Sequence, residues 1–134
     1  MKPMHRNRGF TLIEILIVMA IIGMLVALVG PALFSNFARG QRGAAQAQME
    51  LIGQGLDTYL LDVGRYPRTL EGLIENDTGR EVWKGPYLRG GEAIPKDPWG
   101  NDYVYEPAGD DFELMSLGAD GAEGGEGDDE DIEQ

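Results

Sequence analysis

The side chains of this 134-residue sequence that could do chemistry are carboxylates, and two of their settings stand out. One is solitary. Glu14 stands at the edge of a run, Ile15–Phe34, that contains no charged residue. An ionised carboxylate beside so much apolar surface is costly unless it is paired or solvated. Its chemistry is therefore that of a charge in need of a counter-charge, with solvation at the headgroup level as the alternative. The other setting is crowded. From Asp120 to Asp131 the chain reads Asp-Gly-Ala-Glu-Gly-Gly-Glu-Gly-Asp-Asp-Glu-Asp. Calcium takes about six to eight oxygens at ~2.3–2.6 Å from carboxylates and carbonyls, and glycine lets a loop fold around the ion. The D-x-[DN]-x-[DN]-G pattern of an EF-hand is missing. The same composition also describes a solvated acidic extension, so composition alone leaves both readings open.

Other chemistries have little to work with. There is no cysteine, which excludes a disulfide, and the one histidine, His5, lies among Lys2, Arg6 and Arg8. Nucleophilic and imidazole catalysis lack their usual groups, so an enzyme would have to run every proton transfer on Asp and Glu. No G-x-x-x-x-G-K-[ST] string is present, and no nucleotide site is expected. With 23 acids against 11 bases the formal charge is −12, the reverse of a nucleic-acid-binding surface. The chain reads as neither an enzyme nor a nucleic-acid binder.

Four segments must position these carboxylates. Residues 1–9 are basic and carry no acid. Residues 10–34 are long enough to cross a membrane, since about 20 residues at ~1.5 Å rise span the ~30 Å hydrocarbon core. A domain this small could not enclose so long an all-round apolar helix. The run exceeds the ~7–15-residue apolar region of a secretory signal, and no A-x-A-like site closes it before Gly30-Pro31. The basic flank predicts a cytoplasmic N-terminus with the rest of the chain outside. Residues 35–64 turn amphipathic: Ile52, Leu56, Tyr59, Leu60 and Val63 recur at helical spacing, with Gln48, Glu50, Gln54, Asp57 and Asp62 on the other side. Pro31 can kink a helix without ending it, so one helix is expected from about Thr11 to Val63, capped by Gly64.

Residues 65–134 are expected to form a small β domain. Tyr103–Glu106 and Phe112–Leu117 read as a hairpin around a five-residue Pro-Ala-Gly-Asp-Asp loop. Trp83, Tyr87, Trp99, Tyr103, Tyr105 and Phe112 are the expected aromatic cover for the helix. Residues 71–91 support no strand assignment. The fold class is thus α+β: a long N-terminal α-helix, membrane-spanning and then amphipathic, packed on a small C-terminal antiparallel β-sheet with a Gly/Asp-rich loop. So small a core without a disulfide needs an ion or assembly to hold it.

The string Arg8-Gly9-Phe10-Thr11-Leu12-Ile13-Glu14 resembles the type III signal of type IV pilins and pseudopilins. The resemblance implies that residues 1–9 are a leader, cut between Gly9 and Phe10 by a prepilin peptidase, and that Phe10 is then N-methylated. It also implies that the Phe10 amine of one subunit pairs with Glu14 of its neighbour. Further along come Tyr66-Pro67, Gly72-Leu73, Trp83-Lys84-Gly85-Pro86-Tyr87-Leu88, Pro95-Lys96-Asp97-Pro98-Trp99-Gly100-Asn101-Asp102-Tyr103 and Leu114-Met115-Ser116-Leu117-Gly118-Ala119-Asp120-Gly121. In that order they resemble the major pseudopilin (G-type subunit) family of bacterial type II secretion systems. Type IV pilins usually carry a cysteine pair, which this chain lacks.

That family implies a structural calcium ion in a loop at 117–131. The side chains of Asp120 and Asp131 and the carbonyls of Leu117 and Ala122 are the implied ligands, with Asp128 and Asp129 as further candidates. It implies a single-pass inner-membrane protein with a periplasmic C-terminal domain. Copies would assemble into a helical homopolymer that drives folded exoproteins across the outer membrane. The implied partners are further copies, minor pseudopilins, the inner-membrane assembly platform and the prepilin peptidase. A type IV pilin or competence pseudopilin is the nearest rival. A monomeric membrane-anchored acidic binding protein is another, and it leaves the Gly9-Phe10 junction and Glu14 unexplained.

Overall fold

The structure is a computed structural model that describes residues 10–134. In chain order its elements are α1 (Leu12–Val63), a short 3-10 turn (Leu70–Leu73), β1 (Val104–Ala108), β2 (Asp111–Ser116) and β3 (Ile132–Glu133). The chain divides into two compact units, Met1–Phe37 and Ala38–Gln134, and α1 contributes to both.

In the first unit, α1 is apolar all round and long enough to cross a membrane, and none of its most apolar stretch is buried among the described residues. Leu12, Met24, Leu25 and Val26, spread around the helix, are all exposed. The helix continues through Pro31, as expected. Downstream of the ring, Ser35 donates its hydroxyl to the Ala32 carbonyl at 3.1 Å.

In the second unit the same helix acquires an inside. Ala45, Met49, Ile52, Leu56 and Tyr59 are buried at the three- and four-residue spacing that places side chains on one stripe. Gly55 lets the chain cross α1 closely, because a Cβ there would lie 3.1 Å from Leu88 and 3.2 Å from the Tyr87 carbonyl. Gly64 ends the helix as expected: its φ is +83° and its N–H donates to the Leu60 carbonyl at 2.8 Å. The 3-10 turn then drives Leu70 and Leu73 into a core completed by Tyr66, Tyr103, Leu114 and Ile132. Tyr103 is buried, and Trp83, Tyr87, Trp99, Tyr105 and Phe112 pack half-buried against this core, so the expected aromatic cover is present.

The sheet is antiparallel in the order β1-β2-β3. Its hairpin differs from expectation. Val104 faces Met115, and the pairing runs through Pro107 opposite Phe112 to Ala108 opposite Asp111, leaving a two-residue turn, Gly109-Asp110. Gly109 has φ +72°, which fits the tight turns that follow strand twist. Pro107 had signalled loop, but an edge strand tolerates a missing N–H. β3 was also unanticipated; it adds Glu133 opposite Met115 and Ile132 opposite Ser116. An isolated two-residue strand has no legible period, and here the burial of Ile132 fixes it. Residues 71–91 hold no strand.

Candidate functional site

The first candidate lies at the start of α1. Thr11 Oγ1 accepts from the Glu14 N–H at 3.3 Å, and the Thr11 N–H donates to Glu14 Oε2 at 3.5 Å. This reciprocal arrangement satisfies two N–H groups at the helix start and holds the carboxylate in the first turn, where the helix dipole favours negative charge. Among the described residues no basic side chain forms an ion pair with Glu14. Phe10 is 77 % exposed. Gly9, and with it the expected cleavage bond, lies outside the described residues.

The second candidate is the loop between β2 and β3. Its neck is closed where the Ala119 N–H donates to the Asp128 carbonyl at 2.9 Å. Gly118 makes that approach possible, since a Cβ there would sit 2.8 Å from the Asp129 carbonyl and its φ is +65°. The entry to the loop is anchored to the core by one buried carboxylate. Asp97 Oδ1 accepts from the N–H groups of Trp99 at 3.1 Å and Asn101 at 2.7 Å, and Oδ2 accepts from the Ser116 hydroxyl at 2.7 Å. Asp97 and Ser116 are 4 % and 0 % exposed. Asn101 Nδ2 then donates to the Gly118 carbonyl at 2.9 Å. The exit is anchored from α1. Arg42 Nη1 donates to the carbonyls of Gly127 at 2.8 Å and Glu130 at 3.0 Å, and Nη2 pairs with Glu130 Oε2 at 3.3 Å.

The residues expected to bind calcium are distributed along this loop. Asp120 and Ala122 are exposed and joined locally, the Ala122 N–H donating to Asp120 Oδ1 at 3.0 Å. Leu117 and Asp131 are half-buried. Asp131 Oδ2 accepts from the Gly124 N–H at 2.8 Å, whereas its Oδ1 is buried and has no hydrogen-bond partner. Asp128 and Asp129 contribute main-chain groups: the Asp128 carbonyl closes the neck, and the Asp129 N–H donates to the Glu126 carbonyl at 3.3 Å. Among the described residues no three His, Cys, Asp or Glu side chains converge as a metal site. An ion here would rely on few carboxylates and take its remaining oxygens from carbonyls and water, a mixture calcium accepts. The orphaned Asp131 oxygen is the feature of the loop that fits a cation, because a buried carboxylate oxygen without a donor is otherwise costly.

Sequence reasoning missed Asp97, Asn101 and Arg42. The Asp-Pro-Trp-Gly-Asn string carried a usable signal, since Asp before Pro and Gly commonly accepts from the N–H two residues on. Arg42 carried none, because its partners lie 85 and 88 residues away.

Comparison with known proteins bears on both sites. Residues 32–134 match the family described as Type II secretion system (T2SS), protein G, and residues 4–30 match the prokaryotic N-terminal methylation motif. The sequence is 44 % identical to the type II secretion system core protein G of Pseudomonas aeruginosa, over 96 % of this chain and 94 % of that protein. It is 41 % identical to the Vibrio cholerae core protein G, over 90 % of this chain and 86 % of the relative. The fold is similar to the crystal structure of the major pseudopilin from the type 2 secretion system of enterohaemorrhagic Escherichia coli. That match has a TM-score of 0.61 and 29 % identity, covering 76 % of this chain and 92 % of that one.

Proposed function

The chain belongs to the type II secretion system protein G family, and from that membership we propose that it is the major subunit of a pseudopilus, a filament that drives folded exoproteins across the outer membrane. The observation that carries this reading is the first part of α1: an apolar helix that the described residues leave uncovered, opening on a carboxylate. Before assembly the bilayer solvates that surface. In the filament other copies replace the lipid.

The leader, residues 1–9, holds the N-terminus in the cytoplasm and leaves the Ala38–Gln134 unit in the periplasm. The prepilin peptidase cuts between Gly9 and Phe10. Glycine before the scissile bond presents no side chain to a tight site at the membrane surface. The cut creates an amine on Phe10, which is then methylated. Glu14 of an adjacent copy supplies the matching charge. A mispaired charge in an apolar bundle is heavily penalised, so this pair sets the register between copies. Minor pseudopilins and the inner-membrane assembly platform are the further partners. Asp131 and Asp120, with the carbonyls of Leu117 and Ala122, would hold calcium, which would supply a cross-link across the loop.

Glu14→Leu tests the assembly role. The variant is expected to insert, to be processed between Gly9 and Phe10, and to form no filaments, as read by mass spectrometry of the mature N-terminus and electron microscopy of sheared cells. Filaments of normal length and number from the variant would defeat the proposal.

A further inference from the structure

The geometry points to Arg42 as the positioning residue of the acidic loop: its guanidinium spans the Gly127 and Glu130 carbonyls and thereby sets the loop's affinity for calcium. This rests on the calcium reading above. The arm that leads to Asp131 contains Gly124, Gly125 and Gly127, all at positive φ. Such a segment loses much conformational freedom when it orders. Arg42 meets part of that cost before any ion arrives, because it is held within the continuous helix α1 and one planar side chain fixes two carbonyls and a carboxylate together. Pairing with Glu130 also withdraws that carboxylate from competition with Asp131, whose Oδ1 stays unpartnered.

Two effects of Arg42 on a bound dication oppose each other. Its positive charge repels the ion, whereas its fixing of the loop favours it. The Arg42 side chain is 26 % exposed and its charge is compensated by Glu130, so screening leaves the repulsion small. Residues that orient ligands without touching the metal typically change metal affinity by about 10- to 100-fold. Fixing of the loop therefore outweighs repulsion, and the sign of the effect separates the two.

The experiment is calcium titration by calorimetry into the full-length chain in detergent, at low and at physiological ionic strength, for wild type, Arg42→Gln and Arg42→Lys. Both variants are expected to bind about tenfold more weakly at either ionic strength. Lysine fails to rescue because its ammonium ends one bond short of the position from which Nη1 reaches both carbonyls. Tighter binding by Arg42→Gln, with Arg42→Lys equal to wild type, would make Arg42 a mere charge and overturn the inference. Wild type that takes up no calcium would remove the calcium reading itself, whereas binding unchanged in both variants would remove the clamp alone. Circular dichroism checks that each variant is folded. Should Arg42→Gln not fold, Glu130→Gln decides: it keeps the carbonyl clamp and loses only an exposed ion pair, so affinity is expected within about twofold of wild type. A tenfold loss there would place the effect on the ion pair and overturn the clamp.

Discussion

At the scale of single residues, Asp97 does more than its place in a turn suggests. Its carboxylate gathers three donors in a site with almost no access to water, and one of them, Asn101, passes the connection on to the loop entry. Asp97→Ala strands all three donors and is expected to cost about 3 kcal/mol, near the upper end for one substitution. Ser116→Ala removes a single donor and is expected to cost about 1.5 kcal/mol. Denaturant unfolding of the full chain in detergent measures both; equal and small losses would mean that the network contributes little. The acids and glycines of the loop were legible in the sequence because composition announces them. Asp97 was half-legible, as a turn former whose burial could not be foreseen. Arg42 was illegible, since only the folded helix brings it to carbonyls so distant in the chain.

At the scale of elements, the tyrosines explain how a polar helix face and an irregular chain hold one another. All five hydroxyls donate: Tyr59 to Asp77, Tyr66 to Asp57, Tyr87 to Asp62, Tyr103 to Gln48 and Tyr105 to the Pro67 carbonyl. Gln48 and Asp62, expected on the solvent side of α1, are instead half-buried under these contacts. Burial first, and for Tyr59 and Tyr66 the adjoining Asp carboxylate next, pushes the phenols above their ordinary value of 10.0, to about 12 for Tyr103 and Tyr105. An unfolded tyrosine therefore ionises first. Stability from these two groups is complete below pH 10.0 and falls progressively as pH rises to about 12. Thermal melts across that window are expected to show the decline, and Tyr105→Phe should shallow it; an unchanged slope would mean that burial of this ring does not govern its ionisation. The stem and amphipathic halves of α1 were readable from hydropathy and period. The hairpin turn and β3 were misread, because tertiary pairing overrode the local signal of Pro107 and gave the two residues of β3 a partner.

At the scale of the whole molecule, composition and architecture divide together. Every acid except Glu14, and every base except Lys2, Arg6 and Arg8, falls in the Ala38–Gln134 unit. That unit has a small core and no disulfide. An ion bound to the folded loop and not to the unfolded chain stabilises it by mass action, about 2.7 kcal/mol at a hundredfold excess over Kd. For a unit of this size the expected rise in Tm is on the order of 10 °C, abolished by chelator, in melts of the full chain in detergent. Coincident melting curves with calcium and with chelator would leave the loop without an ion. One further feature bears on how such a chain can polymerise safely. Subunits crowded at a membrane present sheet edges to each other, and an open edge recruits strands into irreversible cross-β aggregates. The outer edge of β1 is interrupted by Pro107, which has no N–H to offer, and β3 on the far side is two residues long. Sheet-mediated growth is thus blunted at both edges, which is what the proposed helix-to-helix assembly asks of the sheet.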